Sequence, residues 1–141
     1  MIGYLDTSAI VPLLVREPAS AACRRFWDDA DSVVTCRIAY VEAAAALAQA
    51  ERTGRLDRAQ HLAARALLDG VWAELDVVEV DQPLVADAAS AADRHALRGY
   101  DAVHWAAATR LTDPDLVAAA DDRKLLGAWR RAGVATYDTD P

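Results

Sequence analysis

Five short apolar runs constrain this chain more than any other feature: Ile2 to Leu5, Ser32 to Cys36, Val77 to Val80, Leu116 to Ala119 and Val134 to Tyr137. A strand with one face in water alternates apolar and polar residues, whereas a strand covered on both faces reads as nearly continuous apolar sequence, as these do. Longer helical segments separate them. Ala19 to Ala30 has Ser20 among its early residues and places Cys23, Phe26 and Trp27 on one face. Ile38 to Arg52 is alanine-rich and ends before Gly54. Asp57 to Glu74 carries Leu62, Ala66 and Val71 among its apolar positions. Gln82 to Leu97 and Tyr100 to Leu111 are separated at Gly99, and Asp122 to Ala132 stops at Gly133. A short helical turn is expected after the first run, with Pro12 near its start. Strands alternating with helices predict an α/β three-layer α/β/α sandwich with a mostly parallel five-stranded sheet. Such sheets bind ligands beyond the carboxyl ends of their strands. Asp6 falls just past the first run, and Asp121 and Asp122 just past the fourth.

With 141 residues, 54% of them apolar, the chain can fill one core, and a single domain over residues 1–141 is expected, without linker or internal repeat. That composition excludes a disordered chain. No apolar run approaches the roughly 20 residues that span a bilayer. The opening Met1-Ile2-Gly3-Tyr4-Leu5-Asp6 lacks the basic start and longer apolar stretch of a signal peptide, so the expected location is the cytoplasm. Cys23 and Cys36 lack metal or redox spacing and are expected as small buried residues. The net charge of −7 argues against broad coating of nucleic acid, which needs excess positive charge. It is compatible with a nuclease whose acids gather around cations.

Four acids stand out. Glu42 is the only charge between Ile38 and Leu47, and a lone carboxylate on an apolar helix is costly unless it meets a partner. Asp101 opens the apolar stretch Tyr100-Asp101-Ala102-Val103-His104-Trp105. Asp6 and Asp122 each stand between a strand and a helix. Asp6, Asp101 and Asp122 also suit helix caps, and Asp121 competes with Asp122 for that place. Carboxylates gathered in a cleft repel and raise one another's pKa. A divalent cation resolves this, and the all-oxygen donors suit Mg²⁺ or Mn²⁺ rather than zinc. Such an ion can bind phosphate and activate water. The residues predict metal-dependent phosphate chemistry and do not distinguish RNA from DNA.

In order and separation, Tyr4-Leu5-Asp6-Thr7-Ser8-Ala9, the helix around Val41-Glu42-Ala43-Ala44, Tyr100-Asp101-Ala102-Val103-His104-Trp105-Ala106-Ala107-Ala108 and Asp122-Arg123-Lys124-Leu125 resemble a PIN domain of the VapC type, the toxin of bacterial VapBC toxin–antitoxin pairs. The resemblance covers nearly the whole chain. It implies a PIN-like fold and a Mg²⁺- or Mn²⁺-dependent endoribonuclease, a hydrolase acting on structured RNA such as tRNA or ribosomal RNA. It also implies inhibition by a VapB-type antitoxin, and a homodimer. By position, Asp6, Glu42, Asp101 and Asp122 would be the catalytic quartet, Asp6 and Asp101 the metal ligands, and Thr7 or Ser8 the support for Asp6. The family often has Thr or Ser two residues before the fourth acid, where this chain has Ala120; the spacing to Leu125 favours Asp122 over Asp121. Alternatives are a PIN-type housekeeping nuclease without toxin role and a catalytically silent binding module whose acids only cap helices.

His104, one turn past Asp101, is expected to be packed or structural, with a general-base role as its alternative. His61 and His95 are expected at the surface. Trp27, Trp72, Trp105 and Trp129 are expected in the core, with an interface anchor as the alternative for one of them. Arg98, Arg110, Arg123 and Lys124 are near the acidic motifs and suit either a solvated helix face or RNA phosphates. A dehalogenase-type phosphatase would need a second Asp where Ser8 stands, and a receiver domain lacks its first acid pair.

Overall fold

A computed structural model describes residues 1–141. In chain order the elements are β1 (Ile2–Leu5), α1 (Thr7–Leu14), α2 (Ser20–Asp29), β2 (Ser32–Cys36), α3 (Ile38–Arg52), α4 (Arg58–Glu74), β3 (Asp76–Val78), α5 (Gln82–His95), α6 (Gly99–Arg110), β4 (Leu116–Ala120), α7 (Arg123–Arg131) and β5 (Ala135–Asp138). The five strands form one sheet of order β3-β2-β1-β4-β5. Every pairing is parallel, so the sheet expected to be mostly parallel is wholly so. Fully apolar strands make sense in this arrangement, because alternate residues face two separate cores. Tyr4 packs with Trp105 and Trp129 under α5, α6 and α7. Leu5 packs with Ile10, Phe26 and Leu47 under α1 to α4.

The chain leaves β1 on one side for β2 and returns on the other for β4, so the topological switch lies between β1 and β4. Ligand crevices of parallel sheets open at that point. Their register pairs Leu5 with Ala119, and Asp6 N–H donates to Ala119 O at 3.0 Å, which brings the ends of both strands level. Gly3 is required inside β1, since a Cβ there would lie 2.9 Å from Phe26 Cε1. Ala96 closes α5 in the left-handed region at φ 53, a conformation that is strained for alanine and turns the chain sharply into α6.

Several expectations change. Pro12 lies well inside α1 rather than near its start; α1 runs for 8 residues from the Asp6 cap. On α4 the core face is His61, Ala64 and Leu68, while Leu62 and Ala66 face outward. His61 is therefore buried, beside Glu51, rather than at the surface. His95 is only partly covered and stacks on Trp105, with ring centroids 5.2 Å apart. Trp105 and Trp129 are core residues, Trp27 and Trp72 are half-buried, and both cysteines are buried free thiols. No helix is long and apolar enough to cross a membrane.

Candidate active site

Capping and site formation are the same geometry here. Asp6 ends β1 and caps α1: its Oδ2 accepts from Ser8 N–H at 3.1 Å and from Ser8 Oγ at 2.6 Å. Asp122 ends the turn after β4 and caps α7, its Oδ1 accepting from Lys124 N–H at 2.8 Å and Leu125 N–H at 3.1 Å. Because β1 and β4 are adjacent, the two caps stand side by side at the switch point. Asp101 sits in the first turn of α6 and is buried. One guanidinium joins it to Asp122: Arg98 Nε donates to Asp101 Oδ2 at 3.0 Å and Arg98 Nη2 to Asp122 Oδ2 at 3.2 Å.

Glu42 reaches the same region from α3 through a buried polar chain. Its Oε1 accepts from Thr7 Oγ1 at 2.8 Å and from His104 Nε2 at 2.8 Å. That Nε2 is also 3.5 Å from Asp6 Oδ1. On the other edge of the ring, Nδ1 meets the Tyr4 hydroxyl at 2.8 Å and Cys36 Sγ at 3.5 Å. His104 is fully buried. Burial opposes its charged form, but the Asp6 charge and the bonds with Cys36 and Glu42 outweigh it and hold the imidazole well above its ordinary pKa. Burial drives the Tyr4 hydroxyl well above its ordinary value, and the nearby Cys36, Asp6 and Glu42 add to this. Thr7 therefore supports Glu42, and Ser8 supports Asp6. The same Ser8 Oγ accepts from Asp121 N–H at 3.1 Å. Asp121 thus joins the Asp6 end of the site and Asp122 joins Asp101.

Desolvation raises the Asp101 carboxyl above its ordinary pKa; Arg98 pulls it back, and the charges of Asp6 and Asp122 push it up again. Asp121 is raised by partial burial, and Asp6 adds to this against the bond from Ser8. The site carries uncompensated negative charge, the condition a cation relieves. Its donors are hard oxygens. Asp101 keeps Oδ1 free, committing only Oδ2, and Asp6 Oδ1 accepts no hydrogen bond and faces His104 Nε2 at 3.5 Å. In kind and charge these residues fit a divalent cation of the Mg²⁺ or Mn²⁺ type. No three acidic, His or Cys side chains are already drawn together tightly enough to hold an ion.

A model of the PIN domain family matches residues 3–128. Ribonuclease VapC49 of Mycobacterium tuberculosis (strain ATCC 25618 / H37Rv) is 39% identical over 140 residues, covering 98% of this chain and 97% of the relative. The chain belongs to the PIN-domain VapC ribonuclease family. Its fold agrees with that of solved structures. FitAcB from Neisseria gonorrhoeae superposes with a TM-score of 0.73 at 21% identity, covering 99% of this chain and 98% of that one. A toxin–antitoxin complex from Klebsiella pneumoniae gives 0.67 at 13% identity, covering 96% and 98%.

Within this VapC-family site, sequence reasoning undervalued Arg98 and His104. A signal existed for His104: it is the one polar side chain between Ala102 and Ala108 on an apolar helix, the pattern that singled out Glu42. Tyr4 and Cys36 gave none, since both are ordinary core residues by type.

Proposed function

We propose that this chain is a metal-dependent endoribonuclease, the toxin of a type II toxin–antitoxin pair, hydrolysing phosphodiester bonds of structured RNA in the cytoplasm. The observation that carries this is the pair Asp6 and Asp101: two buried carboxylates at the β1–β4 switch, each with an oxygen that accepts no hydrogen bond, in a chain of the VapC family. Asp6 and Asp101 would hold Mg²⁺ or Mn²⁺. When bound, such an ion polarises a phosphate oxygen and makes water more acidic. Ser8 fixes the Asp6 rotamer. Thr7 and His104 both occupy Glu42 Oε1, which leaves Oε2 free to accept a proton from water. Asp122 holds the start of α7 and keeps Arg98 over Asp101.

An antitoxin partner and a homodimer are part of the same proposal. Supporting the first are the ribonuclease name of the 39% identical relative and the toxin–antitoxin complex that shares the fold. The test is cleavage of total RNA by wild type and Asp6→Asn with Mg²⁺, Mn²⁺ or EDTA. Metal-dependent cleavage by the wild type alone is expected. Equal cleavage by both proteins overturns the site, and no cleavage of any RNA overturns the enzyme in favour of a binding module. Growth arrest relieved by a neighbouring small gene product distinguishes a toxin from a housekeeping nuclease.

A further inference from the structure

A polyanion approaching this chain meets a net charge of −7 and an acidic site, so something local must hold RNA close to the acids. One pocket offers balance. It measures about 330 Å³ and is lined by Arg98, Asp101, Asp122 and Lys124, whose charges cancel. Arg98 spends only part of its five-donor fork on the two acids, and its side chain stays 63% exposed. Lys124, on the same pocket, is exposed and makes no ion pair. Beside Arg98, Tyr100 is 46% exposed, with the guanidinium 4.8 Å from its ring centroid. An exposed aromatic ring against one cation, itself sharing a pocket with a second, is the combination that takes an unstacked nucleotide: the ring stacks the base and the cations hold the phosphate.

We propose that Arg98, Tyr100 and Lys124 form a nucleotide-binding subsite beside the acidic residues, which takes a phosphate and base of single-stranded RNA adjacent to the bond being cut. This rests on the ribonuclease reading above and adds where the RNA sits. Arg98 has two duties there. With no RNA present it is the counter-charge of Asp101 and Asp122; its free N–H groups donate to the phosphate when RNA arrives. Lys124 supplies charge alone, and Tyr100 supplies stacking alone.

Lys124→Gln leaves the surroundings of the Arg98 guanidinium intact, and Tyr100→Leu removes the ring it packs on while leaving both carboxylate partners of Arg98 in place. In an Asp6→Asn background with Mg²⁺, binding of a fluorescein-labelled single-stranded oligoribonucleotide is followed by anisotropy from about 50 to 200 mM salt. Tyr100→Leu is expected to weaken binding on the order of tenfold with an unchanged salt slope. Lys124→Gln is expected to weaken binding and lower the slope of log affinity against log salt by about one. Wild-type affinity and slope in both variants overturn the subsite, as does an Asp6→Asn protein that binds no oligoribonucleotide. Cleavage of total RNA by the wild-type chain is scored separately. A chain that cleaves while both variants bind normally keeps the nuclease and loses the subsite. A chain that cleaves nothing while both variants lose affinity keeps nucleotide binding at these residues and loses the nuclease, and with it the placement beside a bond being cut.

Discussion

Replacing His104 with alanine removes the group on which Tyr4, Thr7, Cys36 and Glu42 converge. Three consequences set the magnitude. The buried Tyr4 hydroxyl loses its 2.8 Å partner, a loss worth about 1–3 kcal/mol for an unsatisfied group, and the Cys36 thiol replaces it poorly. The bond to Glu42 is charge-assisted but lies at the low end of about 1.5–3 kcal/mol, because Glu42 is 24% exposed and keeps Thr7. The void left by the imidazole adds roughly 1–2 kcal/mol. Against these stands relief of the desolvation of a buried imidazolium. A net loss of about 3 kcal/mol results, which a domain of ordinary stability, about 5–15 kcal/mol, survives. Urea unfolding in EDTA measures it. The decisive comparison is a double-mutant cycle with Tyr4→Phe. In the wild type, deleting the hydroxyl is expected to cost about 1 kcal/mol; beside His104→Ala, where the hydroxyl is left unpaired, it is expected to cost nothing or to gain up to about 1 kcal/mol, a coupling of about 1–2 kcal/mol. Costs that add to within about 0.5 kcal/mol would refute the network and leave His104 as mere filling.

Asp101→Asn should abolish cleavage yet raise the melting temperature in EDTA by roughly 2–5 °C, because a desolvated carboxylate facing Asp6 and Asp122 is neutralised. Since the folded carboxyl is raised from 3.8, the unfolded chain ionises first as pH climbs; the penalty is absent below that value and complete above the folded pKa, so the two proteins should converge in acid and diverge at neutrality. A wild type that melts higher than the variant at neutral pH contradicts this. Ser8→Ala removes the hydroxyl that bonds Asp6 and anchors the Asp121 backbone, leaving the Ser8 N–H bond, and should raise the metal concentration for half-maximal cleavage by about 10–100-fold; an unchanged metal titration refutes it. Gly3→Ala pushes a methyl against the Phe26 ring and should cost about 1–3 kcal/mol in urea unfolding with RNA cleavage retained at low temperature; an unaltered midpoint would show that Phe26 yields freely.

The strands and helices were legible because local patterns decide them. Leu116–Ala120 has no polar residue to expose, and Asp57 with Gln60 makes a reciprocal capping box that starts α4 wherever α4 goes. Glu42 was legible because a lone charge on an apolar helix has to be answered by something. The faces of α4 were not legible. Leu62 and His61 are neighbours in sequence, and the packing of α4 on α1 and α3 turns the histidine in and the leucine out.

The site divides in the same way. The sequence by itself determined that acids follow β1 and β4 and open α6, because strand ends and helix starts are local events and the motif order is written along the chain. Only the tertiary structure decided their partners. Thr7 and Ser8 are adjacent, yet one serves Glu42 and the other Asp6, since successive residues of a helix point about 100° apart and α3 lies on one side only. Arg98 meets Asp122 across 24 residues, and Tyr4 meets His104 across 100. Those contacts exist because the parallel sheet sets β1 beside β4 while α6 packs on β2 and against α7, a long-range arrangement that no local pattern encodes.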